Sequence, residues 1–217
     1  MAHPYWPLFD VEVRTPRLTM RYIDDGLATR LIDVASGGIH APDDMPFAVP
    51  WTDLEPPEFE RQALDFYWRN RAATPESWNL LFAVIADGEV VGSTNLGSRD
   101  FPIKRWFETG SWLGLRFQGK GLGKELRVAT LHLGFLAFDA LVAGTSAFVD
   151  NEPSLGVTRS LGYEPNGIEH NVRRGESVVT ERFRMSRDHF LEHVRRDDIE
   201  ITGDEAVREL LGIARRS

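Results

Sequence analysis

The segment Gln118-Gly119-Lys120-Gly121-Leu122-Gly123-Lys124 constrains this chain more than any other. It lies between a strand-like run over 109–117 and a helical pattern over 122–138. Alternate glycines let the backbone turn tightly and leave its N–H groups uncovered by side chains. The following helix begins with N–H groups that lack an intrahelical partner, at the positive end of its dipole. Strand, glycine loop and helix start together make a cradle for an anion, most naturally phosphate.

The rest of the chain can be placed around this junction. Residues 17–22 alternate apolar and polar side chains and read as a strand. Asp24 or Asp25 suits the cap of a short helix that stops at Gly37-Gly38. Residues 39–57 are too proline-rich for regular structure. Phe59, Ala63, Phe66 and Tyr67 are spaced for a helix over 58–71. Strands over 80–86 and 89–96 meet at Asp87-Gly88, a hairpin signal. A looser excursion over 97–105 leads to a strand over 106–117, the glycine loop and its helix. A strand over 141–149, a short helix over 153–160 and two strands over 163–172 and 177–185 follow, then a charged, largely helical tail. The order is β-α-α-β-β-β-α-β-α-β-β. An antiparallel meander thus feeds one β-α-β crossover at the glycine loop, which makes an α/β fold with a mixed sheet.

Composition narrows the partner. The net charge is −8, and nucleic-acid binders carry basic faces, so no nucleic-acid partner is expected. A local basic patch of Lys120, Lys124 and Arg127 remains suited to a small polyanion. The chain has no cysteine, which excludes disulfides, thiolate metal sites and a cysteine nucleophile. His189 and His193 have a metal-like spacing, but the surrounding residues lack the glutamate of a zinc hydrolase; no metal is expected. No apolar run is long enough to span a bilayer, and residues 1–7 do not resemble a signal peptide, so a cytoplasmic protein without a membrane partner is expected.

Three owners of the phosphate compete. A P-loop fails twice: Gln118 stands where its first glycine belongs, and Glu125 where its hydroxyl residue belongs. A dinucleotide fingerprint is one residue short, and Asp139 precedes the next strand instead of ending it. The third pattern matches. Gln118-Gly119-Lys120-Gly121-Leu122-Gly123 resembles the Gln/Arg-x-x-Gly-x-Gly/Ala signature of the GNAT superfamily of N-acyltransferases. Thr15-Pro16-Arg17-Leu18-Thr19-Met20-Arg21, Glu108-Thr109-Gly110-Ser111-Trp112-Leu113 and Asn151-Glu152-Pro153-Ser154, with Ser160-Leu161-Gly162-Tyr163, are similar in order to segments of its RimJ/RimL-like ribosomal-protein acetyltransferase branch. The resemblance covers residues 14–186.

The resemblance implies a GNAT-like fold over 1–186, with a mostly antiparallel, splayed central sheet and a C-terminal helical extension over 187–217. It implies acyl-CoA as co-substrate, with acetyl the default acyl group and succinyl the alternative. The pantetheine arm is expected to pair along Ser111, Trp112, Leu113 and Leu115, with an N–H near Leu113 polarising the thioester. Gln118, Gly119, Lys120, Gly121, Leu122, Gly123 and Lys124 are expected to hold the pyrophosphate. Asn151 is expected on the pantetheine, although it equally suits a helix N-cap. Relatives use a tyrosine acid where this chain has Thr158. Ser154 is therefore the expected hydrogen bond to the sulfur, and a helix-start serine otherwise. Glu108 is the expected general base, or else an edge carboxylate paired with Arg105 or Lys104.

His40, Asp43, Met45, Phe47 and Trp51 are the expected acceptor pocket, with stiff prolines between apolar walls and acids suited to a cation. The acceptor would be the primary amine of a small molecule or peptide. Val207, Leu210, Leu211 and Ile213 form one apolar stripe, which docks on its own domain or a second subunit; a homo-oligomer is expected. A non-catalytic acyl-CoA-binding or sensing module is the competing reading.

Overall fold

A computed structural model describes residues 3–214. Met1 and Ala2 of the N-terminal stretch, and residues 215–217 of the tail, lie outside the described residues. The strands are β1 (Glu12–Arg14), β2 (Thr19–Tyr22), β3 (Ser77–Ala86), β4 (Glu89–Arg99), β5 (Trp106–Leu113), β6 (Val142–Phe148), β7 (Glu164–Arg173), β8 (Glu176–Ser186) and β9 (Glu200–Thr202). They form one sheet in the order β7-β8-β6-β5-β4-β3-β2-β1-β9. Every neighbouring pair is antiparallel except β5 and β6. This is the mostly antiparallel mixed sheet that the element order implies.

The local reasons are those of the sequence. Asp87 and Gly88 both take positive φ (49° and 78°), as the tight β3–β4 hairpin requires. Helix α1 (Asp25–Ser36) is capped by Asp24, whose carboxylate accepts the Leu27 N–H at 2.7 Å. Helix α2 (Glu58–Arg69) turns Phe59, Ala63 and Tyr67 inward. With α1 it covers one face of the sheet over Leu81, Ala83 and Val90. A short helix, α3 (Phe101–Lys104), occupies the excursion before β5. Helix α4 (Leu122–His132), prolonged by a wider turn over Leu133–Ala137, covers the other face through Leu126, Leu131 and Phe135. Gly134 is required where α4 meets the sheet, because a Cβ there would overlap the Phe107 ring. Helix α5 (Glu152–Ser160) follows β6.

Three expectations change. The strand before the glycine loop ends at Leu113, not at residue 117: Leu115–Phe117 is a 3-10 turn whose Leu115 N–H goes to the Gly38 carbonyl at 2.9 Å. Strand β1 has no counterpart in the sequence reading. The tail is not simply helical. After α6 (Arg187–His189) and a wider turn over Phe190–Val194, β9 pairs with β1, placing Ile201 opposite Val13. Helix α7 (Asp204–Leu210) then carries Val207, Leu211 and Ile213 into the main core. Arg208 is buried there, paired with Asp139 at 2.8 Å. The apolar stripe is thus spent on its own domain. Among the described residues, no helix is long and apolar enough to cross a membrane.

Candidate active site

Strands β5 and β6 pair over four rungs, from Trp106↔Val142 to Thr109↔Thr145. Beyond Thr109 the two strands keep only their outer partners, β4 and β8. The sheet therefore splits, leaving residues 110–113 of β5 without a neighbour on one edge. Alternate residues of a strand turn their N–H groups to opposite sides. Gly114 donates to Val91 of β4 at 2.9 Å, so the N–H groups of Leu113 and Ser111 face the notch, while that of Trp112 faces β4. The indole of Trp112 lies on the α1/α2 face, 6.1 Å from the Trp51 ring.

A single cleft of about 1780 Å³ runs through this notch. On the α4 side it reaches Gly119, Gly121, Gly123 and Lys124. Gly119 (φ 72°) and Gly121 (φ 77°) adopt the left-handed conformation, which bends the chain so that α4 starts facing the notch. The first N–H groups of α4 are those of Leu122, Gly123 and Lys124, unpaired by helix geometry. Gln118 has a different place from the one expected. Its side-chain amide donates to the carbonyls of Ile39 (2.7 Å) and Leu113 (2.8 Å), fastening the loop to the end of β5. The Lys124 ammonium donates to the Ser160 carbonyl at 3.3 Å, and that of Lys120 lies 5.9 Å from the Phe117 ring centre.

The residue that defeats the P-loop reading anchors this loop. The buried Glu125 accepts from Thr15 Oγ1 (2.6 Å), from the Arg17 backbone (3.2 Å) and from the Arg17 guanidinium (2.6 Å). Arg17 also donates to the Lys120 carbonyl at 3.0 Å. Burial alone would raise the Glu125 pKa, but the Thr15 and Arg17 contacts outweigh it and hold the carboxyl below its ordinary value.

Arg127 does not belong to a surface basic patch. It is 5% exposed, donates to Thr145 Oγ1 at 3.0 Å and reaches the cleft at the apex of the notch. Among the described residues, no carboxylate lies within 4.0 Å of it. Beside it the Tyr163 hydroxyl is buried, with Arg127 and Thr109 as its polar neighbours.

On β6's side, Asn151 caps α5 by accepting the Ser154 N–H at 3.2 Å, and both residues line the cleft. The Ser154 hydroxyl makes no hydrogen bond to another described residue. Thr158, which stands in the tyrosine position, is buried and donates to the Ser154 carbonyl at 2.9 Å. Its hydroxyl is committed to the helix.

Glu108 stands one rung before the split, outside the residues that line the cleft but on the α1/α2 face. Its carboxylate lies over Gly144, where a Cβ would overlap it. Its partners are not Arg105 or Lys104: Lys104 pairs with Asp100 at 3.1 Å, and Arg105 donates to the Asp139 carbonyl. Instead Trp106 Nε1 donates to Glu108 at 2.7 Å, and Arg182 lies 4.0 Å away. Burial raises the Glu108 pKa, against the Trp106 hydrogen bond and the Arg182 charge.

The five expected acceptor residues line the far half of the cleft together. Phe47 and Trp51 form an aromatic wall, backed by the buried Phe59, on which Trp51 stacks at 5.6 Å and 11°. His40 is held by Thr52 Oγ1 and the Ala41 carbonyl, each at 2.8 Å. Met45 is buried and Asp43 exposed. Two arginines that sequence reasoning did not single out tie the β7–β8 turn across this half. Arg173 grips Asp150 with two bonds (2.9 and 2.6 Å) and donates to the Met45 carbonyl at 3.0 Å. Arg174 grips Asp53 with two bonds of 2.8 and 2.6 Å.

A split parallel pair beside a glycine-turned helix start is the architecture of the GNAT acyltransferase fold that the motifs resemble. Residues 17–164 match the family described as acetyltransferase (GNAT) domain, and the chain belongs to that family. Among solved structures it is similar to Mycobacterium smegmatis RimJ in complex with CoA-disulfide (16% identity, TM-score 0.67, covering 87% of this chain and 92% of that one). It is also similar to the Salmonella typhimurium acetyl transferase that modifies the N-terminal serine of ribosomal protein L7/L12 (15%, TM-score 0.66, 79% and 96%). A third is a GCN5-related N-acetyltransferase from Brucella melitensis (17%, TM-score 0.65, 83% and 80%). At these identities the likeness is one of fold.

Proposed function

We propose that the protein is an acyl-CoA-dependent N-acyltransferase acting on a primary amine by direct attack in a ternary complex. The observation that carries this is the continuity of the cleft: one cavity is lined by the anion cradle on the α4 side, the aromatic pocket on the α1/α2 side and the split of β5 and β6. Pyrophosphate takes the N–H groups of residues 119–124, and pantetheine pairs with the free edge of Ser111 and Leu113. A Leu113 or Ser111 N–H polarises the thioester carbonyl. The amine nitrogen then bonds to the acyl carbon, the C–S bond breaks, and CoA leaves as a thiolate stabilised by Ser154. The surplus amine proton goes to Glu108, through water, or to water itself. Holding both reactants in line supplies much of the acceleration. The acceptor class includes a peptide N-terminus, as in the Salmonella neighbour.

Acetyl is the acyl group of the family. Arg127 favours a second reading, an acyl group ending in a carboxylate such as succinyl, because a buried cation without an acid is costly until an anion reaches it. Release of free CoA from acetyl-CoA and succinyl-CoA with a panel of amines tests both. Binding of CoA with no release under any pairing would instead make the protein a sensing module. On the second reading, Arg127→Met lowers kcat/KM for succinyl-CoA at least tenfold, roughly one charged hydrogen bond, and spares acetyl-CoA. Equal loss with both donors would remove Arg127 from acyl selection.

A further inference from the structure

Three asparagines on the α1/α2 face form a chain whose direction is set by a backbone carbonyl. Asn70, at the end of α2, donates its side-chain amide to the Phe66 carbonyl at 2.8 Å. A carbonyl can only accept, so this fixes Nδ2 of Asn70 inward and leaves its Oδ1 to accept. Asn79 of β3 donates to that oxygen at 2.8 Å, and Asn95 of β4 donates to Asn79 Oδ1 at 2.7 Å. Reversing any one amide would set oxygen against oxygen along the chain. The order therefore ends with Asn95 Oδ1 as a lone-pair acceptor that no described residue fills, and Asn95 lines the cleft.

Its position is as defined as its polarity. Asn95 opposes Gly110 in the β4–β5 register, and Gly110 is the first residue of β5 beyond the last rung with β6. A Cβ on Gly110 would stand 2.7 Å from Asn95 Oδ1, so the amide oxygen lies directly over the glycine. The oxygen thus lies in the cleft at the point of β5 where the split begins. Glu108 stands on the same face, diagonal to Asn95 across the two strands, a spacing of roughly 7–8 Å between backbones. An amine held by Asn95 reaches Glu108 through water, since Glu108 does not line the cleft.

We propose that Asn95 Oδ1 accepts one N–H of the attacking amine and aims its lone pair at the thioester, with Asn79 and Asn70 as positioning residues. This rests on the acyltransferase reading above and gives its restriction to primary amines a cause in named residues. A primary amine has one N–H for Asn95 and a second to lose as the C–N bond forms; a secondary amine has only the one it must lose. A neutral amide oxygen suits the task better than a carboxylate would. It orients the nitrogen without the charge that stabilises the unreactive ammonium form.

The test uses acetyl-CoA with n-butylamine and N-methylbutylamine as probes. Asn95→Ala is expected to lower kcat/KM for n-butylamine about tenfold, to leave the acetyl-CoA KM within about twofold, and to erase most of the preference for the primary amine. Asn95→Asp is expected to move the kcat/KM profile to higher pH, since a carboxylate there holds the amine protonated. Asn79→Ala keeps Asn95 but frees it to rotate, so the primary-amine preference falls while the acetyl-CoA KM holds; a merely structural loss would move both. Wild-type kcat/KM for n-butylamine in Asn95→Ala overturns the assignment while leaving the acyltransferase reading intact. A wild-type protein that releases no CoA with any amine overturns both.

Discussion

At the scale of single residues, environment and not identity separates the functional side chains from the structural ones. Glu108 has its pKa raised chiefly by burial, so as a base it becomes active only above the usual carboxyl range. Its acidic limb in kcat/KM should therefore lie higher than an exposed glutamate would give. Glu108→Gln should cut turnover near neutral pH by ~10²-fold, with partial recovery as pH rises and the amine deprotonates unaided. An unchanged pH–rate profile in that variant would take Glu108 out of the mechanism. Glu125 shows the opposite shift. Its folded pKa lies below the unfolded one, so its contribution is full at neutral pH and is lost as pH falls through the folded value. Glu125→Gln should cost about 2 kcal/mol in thermal unfolding at pH 7, a difference that shrinks as pH falls below the ordinary carboxyl range and the wild-type carboxyl protonates.

At the scale of elements, the glycine loop and the β5–β6 split depend on one another. Gly121 starts α4 from a left-handed conformation, and an alanine there is strained by ~1–2 kcal/mol whatever space surrounds it. Gly121→Ala should weaken CoA binding at least tenfold in calorimetry while lowering the unfolding midpoint only modestly. Gly134→Ala should do the reverse. Its Cβ meets the Phe107 ring across the α4–sheet interface, an overpacking of ~1–3 kcal/mol, so stability falls and CoA affinity follows only through folding. The two variants separate a glycine kept for backbone shape from one kept for close approach. The loop, its helix and the hairpin at Asp87-Gly88 were legible because glycine position and apolar period are local signals. The end of β5 was not: Leu115 and Phe117 continue its alternation in sequence, yet the Leu115 N–H is captured by Gly38, a residue far away along the chain.

At the scale of the whole molecule, the tail is part of the sheet and the core. Strand β9 pairs with β1, Gly203 packs against the Asp10 carbonyl too closely for any Cβ, and Leu211 is fully buried. The apolar stripe that suggested a homo-oligomer is used inside one chain. Leu211→Asp should therefore lower the unfolding midpoint by several degrees, because burying an unpaired charge costs more than a kcal/mol. A subunit-interface role would show instead as a halved mass in light scattering with the midpoint nearly kept.

By itself the sequence determined most of the elements from β2 to β8, the glycine-loop junction, a cap at Asp24 or Asp25 and the family, because turn chemistry, periodicity and short motifs are written between near neighbours. It also brought His40, Phe47 and Trp51 onto one wall of the cleft. Only the tertiary structure decided that Gln118 fastens the loop, that Arg127 is buried at the notch apex beside Thr145, and that Glu108 answers to Trp106 and Arg182. It alone assembled Asn70, Asn79 and Asn95 into an ordered chain. The physical reason is common to all of these: a side chain's charge, burial and hydrogen-bond direction depend on groups from other elements, brought together by the sheet register and the packing of helices against it.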